Sequence, residues 1–176
     1  MQYDFGKTGP EGRLKPTGFV NTPPPVLLTA LAKLRSNQYI GRSSLATHLT
    51  PFVHLPHFSR DEAGPDFLYE STYKHVGGTT CDGCDAEKRV KRSPRTNQDV
   101  VIHYGTIASG NQVMKDGVTR DRISSELEGV LCFEMEAAGL MNSFPCLVIR
   151  GICDYADSHK NKRLVWRRRS LAHIPG

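Results

Sequence analysis

Val130-Leu131-Cys132-Phe133-Glu134-Met135-Glu136-Ala137-Ala138-Gly139 is a short apolar run that ends on two carboxylates and passes at once into helix-favouring residues. Its length and side chains predict a buried strand, followed by a helix over residues 136–141. Upstream, Val100-Val101-Ile102-His103-Tyr104 and Thr106-Ile107-Ala108 lead to Ser109-Gly110 and predict another buried strand. Between the two, residues 119–127 predict a helix capped by Thr119 and closed by Gly129. Downstream, residues 142–145 break the second helix, and Cys146-Leu147-Val148-Ile149-Arg150-Gly151-Ile152 predicts a third strand. Continuous apolar strands alternating with helices require a sheet covered on both faces, parallel or mixed, with ligand-binding groups at the strand C-terminal ends. The predicted class is α/β, with a central mixed sheet flanked by helices.

Outward from this region the pattern loosens. Pro23-Pro24-Pro25 precede Val26, Leu27, Ala30, Leu31 and Leu34 at helical spacing, which predicts a helix over residues 23–37 with Thr22 as its cap. Residues 36–99 read as an irregular, loop-rich insertion, with one short helix over residues 66–75 stopped by Gly77-Gly78. A chain of 176 residues with 16 Gly and 11 Pro is long enough for one domain with long connections. That domain is expected over residues 1–163, followed by a divergent basic tail over 164–176.

Composition sets limits on function. No apolar run approaches the roughly 18 residues a membrane helix needs, and the N-terminus lacks a charged-then-apolar leader. The expectation is therefore a cytoplasmic protein without a membrane partner. The net charge of +5 includes six basic side chains within residues 160–169, and without them 17 basic side chains face 18 acidic ones. The charge belongs to the tail, and Lys88-Arg89-Val90-Lys91-Arg92 reads as solvated loop charge, so no nucleic-acid partner is expected. The five cysteines are an odd number, three of them inside apolar runs, which argues against a disulfide scaffold. Cys81-Asp82-Gly83-Cys84 is a lone Cys-x-x-Cys without a second pair downstream. It reads as a reduced turn with two ordinary thiols and no metal, the alternative being zinc completed by His54, His57 or His75.

Two polar clusters fall at predicted strand ends. Strand alternation directs Glu134 and Glu136 to one side and Met135 to the other. An ionised carboxylate can accept hydrogen bonds from two neighbouring hydroxyls of a ribose, while Met135 and Phe133 suit an apolar ring. By spacing alone, solvated charges at a helix N-terminus explain the same residues. Asp154, in Cys153-Asp154-Tyr155-Ala156-Asp157, would suit protonation of a purine nitrogen if partly buried, and would equally suit a turn or helix cap.

The ordered motifs Thr106-Ile107-Ala108-Ser109-Gly110-Asn111-Gln112-Val113, Phe133-Glu134-Met135-Glu136-Ala137-Ala138-Gly139 and Arg150-Gly151-Ile152-Cys153-Asp154-Tyr155-Ala156-Asp157 resemble the nucleoside phosphorylase and methylthioadenosine/adenosylhomocysteine nucleosidase superfamily. The resemblance is to fungal members, often attached to NACHT or ankyrin-repeat modules, and covers the C-terminal part of their three-layer domain. It implies that Glu134 and Glu136 bind the substrate, with Glu136 on the ribose hydroxyls, that Phe133 and Met135 line the pocket, and that Ser109, Gly110 and Val113 border the base. Asp154 would be the catalytic acid for the purine leaving group. The implied reaction is cleavage of the N-glycosidic bond of a purine nucleoside or nucleotide, by phosphorolysis or hydrolysis. The resemblance implies no cofactor, with inorganic phosphate compatible as a co-substrate, and a homo-oligomer in the complete form.

Two departures qualify the activity. The family's early strand and Gly-rich, nucleophile-handling turn have no counterpart here, and after Arg163 the family's Ala-rich helix is replaced by Leu164-Val165-Trp166-Arg167-Arg168-Arg169. The expectation is weak or absent turnover, with a catalytically inactive nucleoside-binding or regulatory module as the alternative.

Overall fold

A computed structural model describes residues 1–9, 14–17, 20–55, 65–94 and 100–159. His57, part of the 36–99 insertion and the tail over residues 164–176 lie outside the described residues. The chain forms two compact units. The first comprises Met1–Ser43, His103–Met114 and Asp121–Gly151; the second comprises Ser44–Ile102, Lys115–Arg120 and Ile152–Gly176.

The first unit is organised by a short parallel pair. Strand β3 (Ile107–Ser109) lies beside β4 (Cys132–Glu134) in the register Ile107↔Cys132, Ala108↔Phe133 and Ser109↔Glu134. On the other side of β3 runs the N-terminal segment: Ser109 N donates to Met1 O at 2.8 Å, and Tyr3 N donates to Ser109 O at 3.0 Å. Ala108, hydrogen-bonded into this arrangement, is wholly buried, and the core it shares with Tyr3 and Ile123 takes in Met114, Leu127, Val130 and Phe133. Tyr3 meets Phe133 edge to face, with ring centroids 5.5 Å apart. A separate antiparallel pair joins β1 (Gly6–Thr8) to β2 (Leu14–Pro16).

Three further helices belong wholly or partly to this unit. Helix α1 (Pro25–Tyr39) matches the predicted segment, but Pro24 occupies the cap position and Thr22 does not. Proline at the entry already fixes a helical φ, so no side-chain cap is needed. None of the residues of α1 is buried. Helix α3 (Gly117–Glu126) begins two residues before the predicted Thr119, because Asp116 accepts the Thr119 N–H at 2.9 Å and takes the capping role. Glu128 and Gly129 end it at φ 59° and 91°, and the Gly129 N–H donates to Ser124 O at 2.7 Å. Helix α4 (Ala137–Leu140) follows β4 directly.

In the second unit, helix α2 (Leu45–Val53) precedes an extended excursion. The helix expected over residues 66–75 is absent. The backbone there pairs across the chain instead: Glu70 N donates to Lys88 O, Val90 N donates to Leu68 O, and Tyr69 bridges Arg89 in antiparallel fashion. Ser71, Thr72 and Tyr73 favour helix weakly, so this pairing prevails. A 3-10 turn at Ala86–Lys88 is capped by Asp85, which accepts the Glu87 N–H at 2.9 Å. Gly117 sits so close to Ser71 that a Cβ would lie 2.8 Å from its carbonyl oxygen.

The α/β class thus stands, with its parallel pair between helices in sequence, but the sheet is smaller than expected. Residues 100–104 and 146–151 carry no strand, and Val100, Val101 and Ile149 are exposed. Apolar, β-branched composition yields a strand only where a neighbour supplies the matching N–H and C=O groups. Neither segment has such a neighbour among the described residues.

Candidate functional site

The register Ser109↔Glu134 ends both parallel strands at one level, and the chain beyond each end carries the residues expected to touch substrate. Ser109 is buried, and its hydroxyl oxygen accepts the Ala138 N–H at 2.8 Å. Glu134 is buried as well. Its Oε2 accepts the N–H groups of Glu136 at 2.8 Å and Ala137 at 2.9 Å, so the carboxylate closes the turn from β4 into α4. Burial pushes the Glu134 carboxyl up, but hydrogen bonds from the Ser109 hydroxyl and the Ala137 and Glu136 amides outweigh it and hold it below its usual value. Oε2 of Glu134 is thus occupied with backbone, while its Oε1 is buried without a hydrogen-bond partner among the described residues.

β4 stops at Glu134, and Glu136 has a right-handed helical backbone as the α4 cap, with its carboxyl in hydrogen-bond contact with that of Glu134. The Glu136 side chain is 63% exposed and forms an ion pair with Arg150 at 3.3 Å. The same oxygen, Oε2, accepts the Met135 N–H at 3.0 Å. Met135 and Val113 are exposed, while Phe133 packs inward against Tyr3. Gly110 is buried and donates its N–H to Glu134 O at 3.1 Å; a Cβ there would meet the Tyr3 ring at 2.6 Å. Ser109, Gly110, Glu134 and Phe133 therefore build the strand ends, and Met135, Glu136 and Val113 are presented to solvent. Arg150 is the residue that sequence reasoning left without a role, although it stands in one of the recognised motifs.

Asp154 belongs to the second unit. It is half-buried, and its Oδ1 accepts the Ala156 N–H at 2.9 Å, a turn that supports the positive φ of 52° at Ala156. Nearby, Arg120 donates to Tyr155 O at 2.7 Å and pairs with the buried Asp157 at 3.8 Å. Tyr155 donates its hydroxyl proton to Asp66 at 2.6 Å, and Arg92 donates to the same hydroxyl and to Asp66 O. This network ties the segment after Ile152 to residues 66 and 92, a tie that no local sequence signal announces.

The Cys-x-x-Cys turn is closed by Cys84 N donating to Cys81 O at 3.1 Å, and both thiols are free. Burial, then the neighbouring Cys84, pushes the Cys81 thiol up to about 11. His75 lies with the two sulfurs; His54 is not in that group. His159 stacks on Tyr69 with ring centroids 4.2 Å apart, and burial holds its imidazole below the usual value against the pull of Asp157.

No family model matches the chain. No solved structure matches it either. It is similar to a nucleotide-binding leucine-rich repeat (NLR)-like protein of Hyaloscypha variabilis, with 41% identity over 174 residues, 98% of this chain and 17% of that protein. The chain therefore spans about a sixth of the length of that relative. Among the described residues, no helix is long and apolar enough to cross a membrane.

Proposed function

We propose that this chain is the sugar- and base-binding part of a nucleoside phosphorylase or nucleosidase-type domain, carried within an NLR-like protein. It binds purine nucleosides or nucleotides, and its own cleavage of the N-glycosidic bond is weak or absent. The observation that carries the reading is the end of the parallel pair, where Ser109 and Glu134 stop in register and the exposed, Arg150-paired Glu136 follows beside Met135. Ligands of parallel α/β sheets sit at such C-terminal ends. Glu136 keeps acceptor capacity beyond its Arg150 contact, which suits two adjacent ribose hydroxyls, and Met135 offers a polarisable apolar surface. Asp154 is the acid for any purine release. The relative's printed name is compatible with fusion to NACHT-type modules, which the resemblance also implies.

Binding without turnover is favoured by Glu134 and Asp154, each of which has an oxygen engaged by backbone N–H groups. Calorimetry with adenosine and inosine, run beside a purine-release assay, tests both parts. Glu136→Ala should weaken binding roughly tenfold to a hundredfold, the worth of hydrogen bonds to a charged group. Asp154→Asn should leave affinity in place and abolish whatever release is measured. Unchanged affinity on Glu136→Ala would reject the ribose assignment.

A further inference from the structure

The second unit contains a side-chain group for which nucleoside binding has no use. The antiparallel pairing of residues 68–70 with 88–90 closes the base of a loop, whose tip turns back through Gly77 and Gly78 at φ 111° and 83°. That return brings a His75 ring nitrogen and the sulfurs of Cys81 and Cys84 to within 4.8 Å of one another. We infer that His75, Cys81, Cys84 and His159 form a structural zinc site, which fastens this loop to the segment that carries His159.

His159 supplies the independent observation. Its side chain is 2% exposed, and its Nε2 is buried without a hydrogen-bond partner among the described residues. An imidazole nitrogen in that state costs free energy unless something coordinates it. Its ring stands edge-on to His75 with centroids 5.5 Å apart. On its other side, Asp157 Oδ1 is 3.8 Å from Nδ1 and accepts the His159 backbone N–H at 2.8 Å. Nδ1 meets the Ser158 hydroxyl at 3.4 Å, and the carboxylate behind it, which in metal sites orients a bound ring, would do so here on closing to hydrogen-bond distance. Both ring nitrogens of His75 have backbone partners. Gly77 N–H donates to Nδ1 at 3.0 Å, so the ring proton is on Nε2, which donates to Thr80 O at 2.9 Å. A backbone carbonyl on one ring nitrogen is the usual anchor for a histidine that ligates through the other, and the cation would displace the Gly77 N–H.

Two sulfurs and two imidazoles select zinc among the common divalent cations. Tetrahedral zinc holds such atoms about 3.3–3.8 Å apart, so His75, Cys81 and Cys84 need to contract by about 1 Å, and His159, whose ring lies outside that 4.8 Å group, has further to move. Loading replaces the protons of the two thiols, which leave to solvent as Zn²⁺ binds two thiolates and two neutral imidazoles. The unit has reason to need the cation, since Tyr69 and Cys84 are its only buried apolar residues among those described. A core that small requires another fastening.

The 176-residue chain, purified with zinc present and then dialysed, should carry one zinc per chain by atomic emission. Cobalt(II) in its place should give the intense visible bands of a tetrahedral site and sulfur-to-cobalt charge transfer. In competition with a chelating dye, His159→Ala should bind zinc at least tenfold more weakly, Asp157→Asn about 10–100-fold more weakly, and Cys146→Ser as well as the unaltered chain. The inference is overturned if the unaltered chain takes up no zinc, if its cobalt spectrum lacks the sulfur band, or if His159→Ala binds with unchanged affinity. The cobalt spectrum needs no variant, so misfolding of a cysteine variant does not decide the result.

Discussion

Gly110→Ala tests whether the parallel pair and the N-terminal segment are packed as described. The added Cβ would lie 2.6 Å from two atoms of the Tyr3 ring and 2.9 Å from its hydroxyl oxygen. Ordinary carbon contacts are about 3.5–4.0 Å, so the ring would have to retreat by about 1 Å. It has little room, being buried against Phe133 with its hydroxyl bonded to Gln112 O at 3.3 Å. Forcing one methyl into such a place costs about 1–3 kcal/mol. Lower entropy of the unfolded chain returns about 0.4–1 kcal/mol, leaving a net loss of about 1–2 kcal/mol. For a chain of this length that is a fall in Tm of roughly 2–8 °C, read by far-UV circular dichroism. The control is the double-mutant cycle with Tyr3→Ala. Once the ring is gone, the alanine at 110 should cost nothing or stabilise slightly. An equal loss in both backgrounds would show that Tyr3 is not what constrains Gly110, and the packing argument would fail.

Glu134 has its carboxyl held below the ordinary value of 4.5, so it contributes stability above that pH and the contribution fades as pH falls through the folded-state value. Urea midpoints from neutral to acid pH should therefore drop less steeply for Glu134→Gln than for the parent, and parallel curves would refute the assignment. Gly117→Ala places a Cβ 2.8 Å from Ser71 O and should cost about 1–3 kcal/mol in chemical denaturation, because backbone cannot rotate aside as a side chain can. Val26→Ser on α1 should change stability by no more than about 0.5 kcal/mol, since Val26 is 71% exposed; a larger loss would mean that this face is covered in solution.

Where neighbours in sequence are also neighbours in space, the fold could be read from the residues. Phe133 to Gly139 turn from strand to helix as expected, and Gly129 ends α3 in a left-handed backbone. The failures have a common cause. The expected strand over 146–152 has suitable side chains, but a strand is made by its partner, and composition carries no information about whether one arrives. Alternation likewise could not separate buried Glu134 from exposed Glu136, because it assumes that the strand runs on through Met135. The metal-ligand group was half visible as Cys81 and Cys84. His159 lies 75 residues beyond Cys84 and is brought in by tertiary packing on Tyr69, so local spacing could not nominate it.

The hydrogen bonds of Met1 and Tyr3 to β3 also dictate an order of assembly. β3 and β4 pair across 25 positions, with α3 forming locally between them, whereas Tyr3 joins Ser109 across 106. Loop closure grows only logarithmically dearer with length, but the longer loop is still the later one to close. During synthesis at about 5–20 residues per second, residue 109 follows residue 3 by roughly 5–20 s. Through that interval the Tyr3 ring, destined to sit between Gly110 and Phe133, has no native surface to bury against. Residues 1–3 should thus stay undocked, open to proteases and to chaperones, until β3 has formed.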